Sequence, residues 1–568
     1  MSNNNKKLEG VELIKNKSHF LRGTITEGLQ NQISGSLAID DTQLTKFHGI
    51  YQQEDRDSRV ERRKLKLDSL YSFMIRARVA GGICTPSQWL AMNELADIYG
   101  NKSIRLTTRQ AFQLHGVLKK NLKETIAKIN SSLLDTIAAC GDVNRNVMCT
   151  PNPDTSIAHQ SVYDSACQIS HHLTPNTTAY HEIWLDKKKT ESSVDHEPIY
   201  GKSYLPRKFK IVLAIPPSND VDIFAHDLGF IAIIENNRLI GFNVTVGGGM
   251  GCTHGDTETF PQLAQVIGFC TAEQVCEVAE HVVKIQRDFG DRSNRKHARF
   301  KYTIDDRGIP WFKSELEQRL NWSLAAEKPY EFTSRGDQFG WSENHDKSLN
   351  LTMFIENGRI INNNKSQLKT AFKEIALLNI GEFRITANQN LILAKINKKD
   401  KETVITILNK YEVVFKQSKL IDNAMACVAL PTCSLAMAEA ERYLPNLLTQ
   451  IENLQIKHSI QNRPIVTRMT GCPNGCARPF VAEIGFVGKG PGKYNLYLGG
   501  SFIGNRLNQL FRENIDESTI LEELDTIFKD YSQNNLNNEY FGDFVIRKNY
   551  VQSVSHGSQV HSLTLEIK

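Results

Sequence analysis

Four cysteines in the last third of the chain constrain its fold more than any other feature. Cys427 and Cys433 form one pair, Cys472 and Cys476 form a second, and a long helical insert separates the pairs. Four thiolates brought together in this way suit a multi-iron centre. Glycines and a proline surround the second pair, and such a loop leaves backbone N–H groups free to donate hydrogen bonds to cluster sulfurs.

Two other roles for these cysteines compete with an iron–sulfur centre. A structural zinc site usually has two to four residues inside each cysteine pair, whereas five residues separate Cys427 from Cys433. Buried cysteines without a ligand function are the second alternative. The spacing favours the multi-iron centre over both.

The two cysteine segments resemble the signature of the sirohaem-dependent sulfite and nitrite reductases, and the similarity extends from about Lys46 to Asp543. Within that family the chain is most similar to the sulfite reductases that receive electrons from an NADPH-oxidising flavoprotein. The resemblance implies that the four cysteines hold a [4Fe–4S] cluster and that Cys476 also ligates the sirohaem iron. The matching segments are Ala426-Cys427-x₅-Cys433 and Thr470-Gly471-Cys472-Pro473-Asn474-Gly475-Cys476.

Composition limits the other classes of protein. The 568 residues predict two to four domains, and 40% hydrophobic with 23% charged residues is ordinary for a globular protein. No apolar run approaches about 20 residues and the N-terminus lacks a hydrophobic signal core, so we expect a cytoplasmic protein without a membrane partner. A net charge of +5 does not indicate nucleic acid binding, and an odd count of eleven cysteines argues against a disulfide framework.

An internal repeat indicates an α+β fold that is duplicated about an approximate two-fold axis. In each half a strand and a helix lead into the pattern R-[LI]-T-x-x-Q, which begins at Arg105 and at Arg384. A second unit, a β-branched strand that runs into a Pro/Asn turn, follows at 207–219 and at 464–474. Only the second copy carries cysteines at this turn, so the first half is free to supply the opposite wall of a shared pocket.

The repeat and the resemblance together divide the chain into five parts. We expect an N-terminal arm and partner-docking extension (1–72), a first ferredoxin-like half-domain (73–137), a first sirohaem-binding α/β domain (138–339), a second ferredoxin-like half-domain (340–414) and a second sirohaem domain with the cluster cysteines (415–568). Polar composition predicts that residues 1–45 are a mobile arm or a docking extension, and that the tail from about 550 is disordered. The basic run at 60–67 is typical of a solvated helix face or turn. Helices are predicted at 86–99, 271–289, 366–378 and 434–455.

One strand-like segment is the candidate sirohaem pocket. A sirohaem is rich in carboxylates, which arginine binds bidentately. The resemblance implies that a segment of pattern R-x-T-x-R-Q-x-x-Q-x-H wraps the macrocycle, and every position of that pattern is present. Strand alternation predicts Arg105, Thr107 and Arg109 on a common side, which Gln113 and His115 share if no bulge intervenes. A half-exposed strand with solvated arginines is the alternative.

Four cations are candidates for holding the substrate. Sulfite is a small dianion, and its reduction to sulfide takes six electrons and several protons. Cationic side chains hold the anion and, close to one another, are easier to deprotonate. The resemblance implies that Arg76, Arg145, Lys208 and Lys210 form this set. Lys208 and Lys210 alternate along one strand and therefore share a face, whereas Arg78 competes with Arg76, and a surface salt bridge is the alternative for each.

Three further side chains are expected near the macrocycle, namely Arg207 and Asn474, with Gln389 as a candidate from the second repeat. Some relatives link a cysteine at the position of Cys140 to a tyrosine beside the haem. Tyr51 is the corresponding candidate in this chain, and simple core packing explains Cys140 equally well.

The glycine-rich turns lack the spacing of nucleotide-binding loops. We therefore expect no NADPH, FAD or FMN site, and expect electrons from a separate FAD- and FMN-containing flavoprotein in a hetero-oligomer. A sirohaem nitrite reductase and a ferredoxin-fed sulfite reductase are the nearest alternatives. A zinc-stabilised binding module would leave the cationic segment and the duplication unexplained.

Overall fold

The computed structural model describes residues 10–187, 195–364, 366–414 and 417–563. Three short helices come first, α1 (Gly10–Lys17), α2 (Ile25–Gln30) and α3 (Ile39–Leu44). Lys15 is fully buried, where its ammonium donates to the carbonyl of Leu205 at 2.7 Å and pairs with Glu12. A mobile arm is therefore wrong for residues 10–44, because widely spaced apolar side chains join the main core, namely Leu21, Ile25, Leu37 and Leu44. The rest of that prediction, residues 1–9, lies outside the described residues.

The first half of the chain forms two sheets with their helices. The first region comprises β1 (Ile50–Glu54), α4 (Arg59–Lys64), β2 (Tyr71–Ala77), β3 (Ile83–Cys84), α5 (Pro86–Ile98), β4 (Ile104–Leu106), β5 (Phe112–Val117) and α6 (Leu122–Ser131). Its strands β1, β2, β4 and β5 lie in the first sheet, whereas β3 pairs with a strand of the second half. The next region comprises β6 (Met148–Cys149), α7 (Ala158–His172), α8 (Ala179–Leu185), β7 (Ile211–Ala214), β8 (Ser218–Asn219), β9 (Leu228–Glu235), β10 (Arg238–Val246), β11 (Gln265–Thr271), α9 (Val275–Phe289), α10 (Phe300–Arg307) and α11 (Ile309–Leu320).

The second half repeats this order. The short strand β12 (Ser334–Arg335) precedes it and pairs with β8 of the first half. The first region of the second half comprises β13 (Gly340–Glu343), β14 (Leu349–Met353), β15 (Arg359–Ile360), α12 (Leu368–Leu377), β16 (Glu382–Ile385), β17 (Leu391–Ile396) and α13 (Lys401–Lys410). Its last region comprises α14 (Lys419–Asp422), β18 (Ala424–Ala426), α15 (Leu444–Lys457), β19 (Thr467–Thr470), β20 (Ile484–Gly490), β21 (Lys493–Leu498), β22 (Gln509–Ile515), α16 (Glu517–Asn534) and α17 (Phe541–Arg547).

Strand order confirms the predicted duplication. The smaller sheets run β1-β2-β5-β4-β15 and β13-β14-β17-β16-β3, so each half lends one short strand to the edge of the other half's sheet. The larger sheets run β11-β10-β9-β7-β6 and β22-β21-β20-β19-β18. In both larger sheets the three strands nearest the last-named edge are parallel and the others are antiparallel. The first small sheet begins at β1, ahead of the boundary expected at residue 73.

Two predictions about the second half differ from the structure. The helix expected to begin at residue 434 begins only at Leu444, because the N–H groups of Met437 and Ala438 donate instead to the carbonyl of Gly471. The tail is ordered to residue 563: Val551 and Val560 are fully buried, and His556 pairs with Asp305 at 2.8 Å. Within the described ranges, no helix combines the length and the apolar character that crossing a membrane requires.

Candidate active site

The four cysteines lie at one edge of the last sheet. β18 and β19 are parallel, with Ala426 beside Met469, so the chain leaves both strands at the same edge. Cys427 follows β18 directly, and the second cysteine pair follows β19. The N–H of Gly471 donates to Cys427 Sγ at 3.3 Å, and the side-chain amide of Asn474 donates to Cys472 Sγ at 3.5 Å. The predicted N–H···S environment is therefore present.

The chemistry of these thiols fits a soft metal centre. Burial, and then the charge of Cys476, raises the pKa of Cys427, of Cys433 and of Cys472, the last to about 12. A bound metal reverses this effect because it stabilises the thiolate form. Among the described residues, no three His, Cys, Asp or Glu side chains converge on a single-ion site.

The candidate sirohaem segment is a hairpin, so the expectation of one continuous strand is wrong. Gln110 has a left-handed backbone (φ 49°), and the hydroxyl of Thr107 accepts hydrogen bonds from the N–H groups of Arg109 and Ala111, both at 3.2 Å. These contacts stabilise a tight turn between β4 and β5. Antiparallel pairing then sets Arg105 directly opposite Gln113.

A polar row crosses the first sheet at this level. Gln113 pairs with Arg105 on one side and with Arg76 on the other, and directly paired residues share a face of a sheet. His115, two residues further along β5, lies on the same face. Arg78 lies beyond the end of β2, where it forms a bidentate ion pair with Asp135 at 2.7 Å. Arg76 therefore lies in the polar row and Arg78 does not, a difference that the sequence alone does not reveal.

The remaining substrate candidates lie on two neighbouring segments. Phe209 is buried between Lys208 and Lys210, and its carbonyl accepts a hydrogen bond from the N–H of Arg145 at 2.9 Å. Burial, then the charges of Arg299 and Arg207, lowers the pKa of Lys208 to about 7. Burial, then the charge of Lys208, lowers the pKa of Lys210 well below its ordinary value. Both lysines can therefore release a proton far more readily than a solvated lysine.

Tyr51 and Cys140 both lie next to these cations. Arg76 Nη1 approaches Cys140 Sγ at 3.0 Å. Burial, and then the charge of Cys140, raises the pKa of Tyr51, whereas Arg145 and Arg76 lower it. The thiol and the phenol are thus in the same cationic environment.

The two halves meet at the cysteine loop through contacts that sequence reasoning missed. The hydroxyl of Thr108, in the hairpin turn, donates to the carbonyl of Cys476 at 3.0 Å. Arg478 in turn donates to the carbonyl of Thr108 at 3.1 Å. Thr108 is one of the unspecified positions of the sequence pattern, and no signal in the sequence distinguishes it.

A buried carboxylate joins three arginines from separate parts of the chain. Asp222 accepts from Arg335 at 2.6 Å, from Arg468 at 2.5 Å and from Arg478 at 2.5 Å, and all four residues are buried. The three guanidinium groups hold the pKa of Asp222 well below its usual range, against the effect of burial. Asp222 and Arg478 occupy matching left-handed positions before the short turns Ile223–Ala225 and Pro479–Val481. This ion cluster therefore fixes the cysteine loop to the first half.

The pocket side chains fit a carboxylate-rich macrocycle. Within the described part of the chain, five buried atoms of the hairpin and its neighbour have no hydrogen-bond partner: Arg76 Nε, Arg105 Nε, Arg109 Nε, Gln113 Oε1 and His115 Nε2. Arg105 Nε lies 3.1 Å from the carboxylate of Glu441, which forms an ion pair with it. Burial, then nearby Arg478, lowers the pKa of Arg109 to about 9, and burial lowers the pKa of Arg207 to about 10. A buried N–H group without an acceptor and a group of neighbouring cations both raise the free energy of the folded protein. A carboxylate accepts hydrogen bonds from such N–H groups and neutralises the positive charge. Gln389 lies in the corresponding turn of the second half, where its amide donates to the carbonyl of Asn357 at 3.1 Å.

Comparison with known families identifies matching domains in both halves of the chain. The model described as the nitrite and sulphite reductase 4Fe-4S domain matches residues 164–324. The model described as the nitrite/sulfite reductase ferredoxin-like half domain matches twice, at 67–132 and 343–411. The two half-domain matches correspond to the two smaller sheets.

Curated proteins named sulfite reductase (NADPH) hemoprotein beta-component resemble the chain over almost their full length. The protein of Oceanobacillus iheyensis is 56% identical, with 100% of this chain and 99% of the relative covered. Those of Staphylococcus epidermidis (54%; 98% and 98%) and Myxococcus xanthus (53%; 97% and 99%) are similarly close. Among solved structures, the NirA protein of Mycobacterium tuberculosis superposes with a TM-score of 0.79 at 23% identity, covering 96% of this chain and 98% of that one, which supports the fold.

Proposed function

The chain belongs to the nitrite and sulfite reductase family, and on that premise we propose that it is the haemoprotein subunit of an assimilatory sulfite reductase. It reduces sulfite to sulfide with a sirohaem and a [4Fe–4S] cluster, and a separate NADPH-oxidising flavoprotein supplies the electrons as the other component of a hetero-oligomer. One observation carries the proposal: the cysteine loop of the second half meets the cationic wall of the first. Thr108 binds the carbonyl of Cys476, and the Cys476 charge acts on Lys208.

The second half is assigned the metal ligands. Cys427, Cys433, Cys472 and Cys476 would hold the cluster, with Cys476 shared with the sirohaem iron. Held by these residues, the cluster and the sirohaem would supply electron storage and electron delivery at the site. The N–H groups that Gly471 and Asn474 direct at cysteine sulfurs stabilise negative charge there, and so favour the reduced state.

We assign to the first half the binding of anions, namely most of the contacts to the sirohaem carboxylates and all of those to sulfite. The sirohaem carboxylates would be held by the hairpin and its neighbours in the first half, namely Arg105, Thr107, Arg109, Gln113, His115 and Arg207, together with Asn474 from the cysteine loop of the second half. Sulfite would be held by Arg76, Arg145, Lys208 and Lys210. Two arginines and two lysines whose pKa values are lowered by burial suit a dianion whose reduction consumes protons. Nitrite carries a single negative charge, so a site with four cationic side chains matches it less well than it matches sulfite.

The test of this function is a visible absorption spectrum of the purified protein with iron and acid-labile sulfide assays. We expect sirohaem bands, with cluster iron in excess of haem iron. Sulfite- and nitrite-dependent oxidation of reduced methyl viologen then compares the substrates. A colourless protein that contains zinc, after expression with sirohaem available, would overturn the assignment.

Titration of Lys208 predicts the pH dependence of sulfite capture. The pKa of Lys208 is lowered to about 7, so the ammonium is lost as pH rises, and a bound anion raises this pKa. We expect kcat/KM for sulfite, with methyl viologen as donor, to fall through an inflection at or above about pH 7. Hydrogen sulfite also loses its proton near neutral pH, and this contribution of the substrate is common to both enzymes. Lys208→Arg keeps its charge, so it should lose the part of the inflection due to Lys208 while retaining sulfite binding. An identical inflection in Lys208→Arg would contradict the assignment.

A further inference from the structure

Residues 59–70, here called the basic loop, form an exposed patch that the site leaves unexplained. No side chain of α4 is buried, as the prediction of a solvated face requires. Four large apolar side chains are nevertheless exposed within the loop: Val60 (63%), Leu65 (63%), Leu67 (51%) and Leu70 (46%). Such a concentration of apolar surface in a short segment is typical of an interaction site.

The same loop presents uncommitted positive charge. It contains five basic and two acidic side chains. Arg59 pairs with Glu54, and Arg62 donates to the carbonyl of Asp68. Arg63, Lys64 and Lys66 are exposed, and within the described chain none of their side chains has a hydrogen bond or ion pair. Apolar residues surrounded by free charges match the composition of a transient protein interface.

The base of the basic loop is attached to the cysteine region. Arg56 Nη1 donates to the carbonyl of Cys433 at 3.2 Å and to that of Ala436 at 2.7 Å. Asp57 pairs with Arg442 at 2.7 Å. The patch is therefore held beside a cysteine assigned to the cluster, although the two segments are about 370 residues apart in the chain. Electron transfer requires a short distance between donor and acceptor, and a partner bound at this patch would lie close to the assigned cluster cysteines.

We propose that the basic loop is the docking site for the acidic, flavin-bearing domain of the electron-donating protein. The inference deepens the proposed function and depends on it. The apolar side chains supply contact area, while Arg63, Lys64 and Lys66 steer an acidic partner into place. A small, charge-guided contact of this kind suits a donor that must dock and leave for each electron delivered.

The test is charge reversal in the holoenzyme, with two electron donors. In Arg63→Glu/Lys64→Glu/Lys66→Glu we expect the KM for the NADPH-reduced flavoprotein to rise about tenfold or more, with a weaker dependence on salt. Turnover with reduced methyl viologen, which needs no docking, should stay unchanged. In the control variant, glutamate replaces three exposed lysines of the second half, Lys373, Lys398 and Lys399. This variant should keep the activity with the flavoprotein and the activity with methyl viologen. Leu65→Ser/Leu67→Ser removes apolar contact without charge reversal and should also raise this KM.

The outcomes separate the two proposals. An unchanged KM for the flavoprotein in both loop variants, with full sirohaem absorbance, would overturn the docking site alone. Absence of dye-driven sulfite reduction in the unmodified protein would overturn the proposed function itself. Binding to phosphatidylserine vesicles that the triple variant loses, with no change in flavoprotein KM, would assign the loop to a membrane surface and overturn the docking proposal.

Discussion

Replacing Cys476 with serine is expected to abolish sulfite reduction and to remove cluster iron, labile sulfide and sirohaem absorption together. Cys476 is the one exposed cysteine of the four and the residue assigned to both cofactors. Its carbonyl also holds the hairpin turn through Thr108. Loss of a shared ligand should lower dye-driven turnover by more than about a hundredfold, since even outer ligand contacts are worth 10–100-fold.

The control for this variant is Cys276→Ser. Cys276 is half-buried on α9, and burial raises the pKa of its thiol, as expected for a packing cysteine. This variant should keep its iron content and turnover. Retention of visible absorption and activity by Cys476→Ser would refute the ligand assignment.

Replacing Asp222 with asparagine is expected to be the most destabilising single change in the ion cluster. The isosteric amide removes the negative charge and leaves Arg335, Arg468 and Arg478 buried together. Breaking a buried ion pair in this way costs about 3–5 kcal/mol. We expect a clearly lower unfolding temperature by calorimetry, and reduced iron content because Arg478 fixes the cysteine loop. The carboxylate's pKa is held low, so its stabilising effect is present at neutral pH and is lost only on acidification below about pH 4.

Asp525→Asn provides the matched comparison. Asp525 pairs with Lys457 and His458 near the surface, where an ion pair contributes at most about 1 kcal/mol. Its removal should leave the unfolding temperature and cofactor content nearly unchanged. If the two variants unfold at the same temperature, Asp222 does not have the structural role inferred from its contacts.

Local patterns in the sequence predicted the features that depend on local chemistry. The repeated R-[LI]-T-x-x-Q pattern predicted the duplication, and the repeated strand-and-turn unit predicted that the second cysteine pair follows a strand. The turn at Gln110 was missed because an R-x-T-x-R run satisfies strand alternation, and nothing local marks the left-handed residue. The hairpin alters the geometry of the pocket, since it places Gln113 between Arg76 and Arg105.

Features that depend on distant partners were not predictable. Asp222 is one aspartate among many, and its three arginines lie more than 100 residues away. Polar composition suggested disorder at both ends, yet a few spaced apolar residues such as Ile25 and Val560 fasten each end to the body. Burial of a few side chains outweighs average composition because each contributes about 1.5–3 kcal/mol.

The exchange of β3 and β15 between the smaller sheets makes the two halves dependent on each other for folding. Cleavage between residues 339 and 340 would produce two fragments that each lack an edge strand and expose unpaired backbone groups. Neither fragment would be a complete folding unit, although each contains one copy of the repeated arrangement of strands and helices. Co-expressed fragments should accordingly reassemble as a pair and aggregate when expressed singly. The reciprocal exchange thus makes each half complete the sheet of the other, so the two halves form one interdependent folding unit.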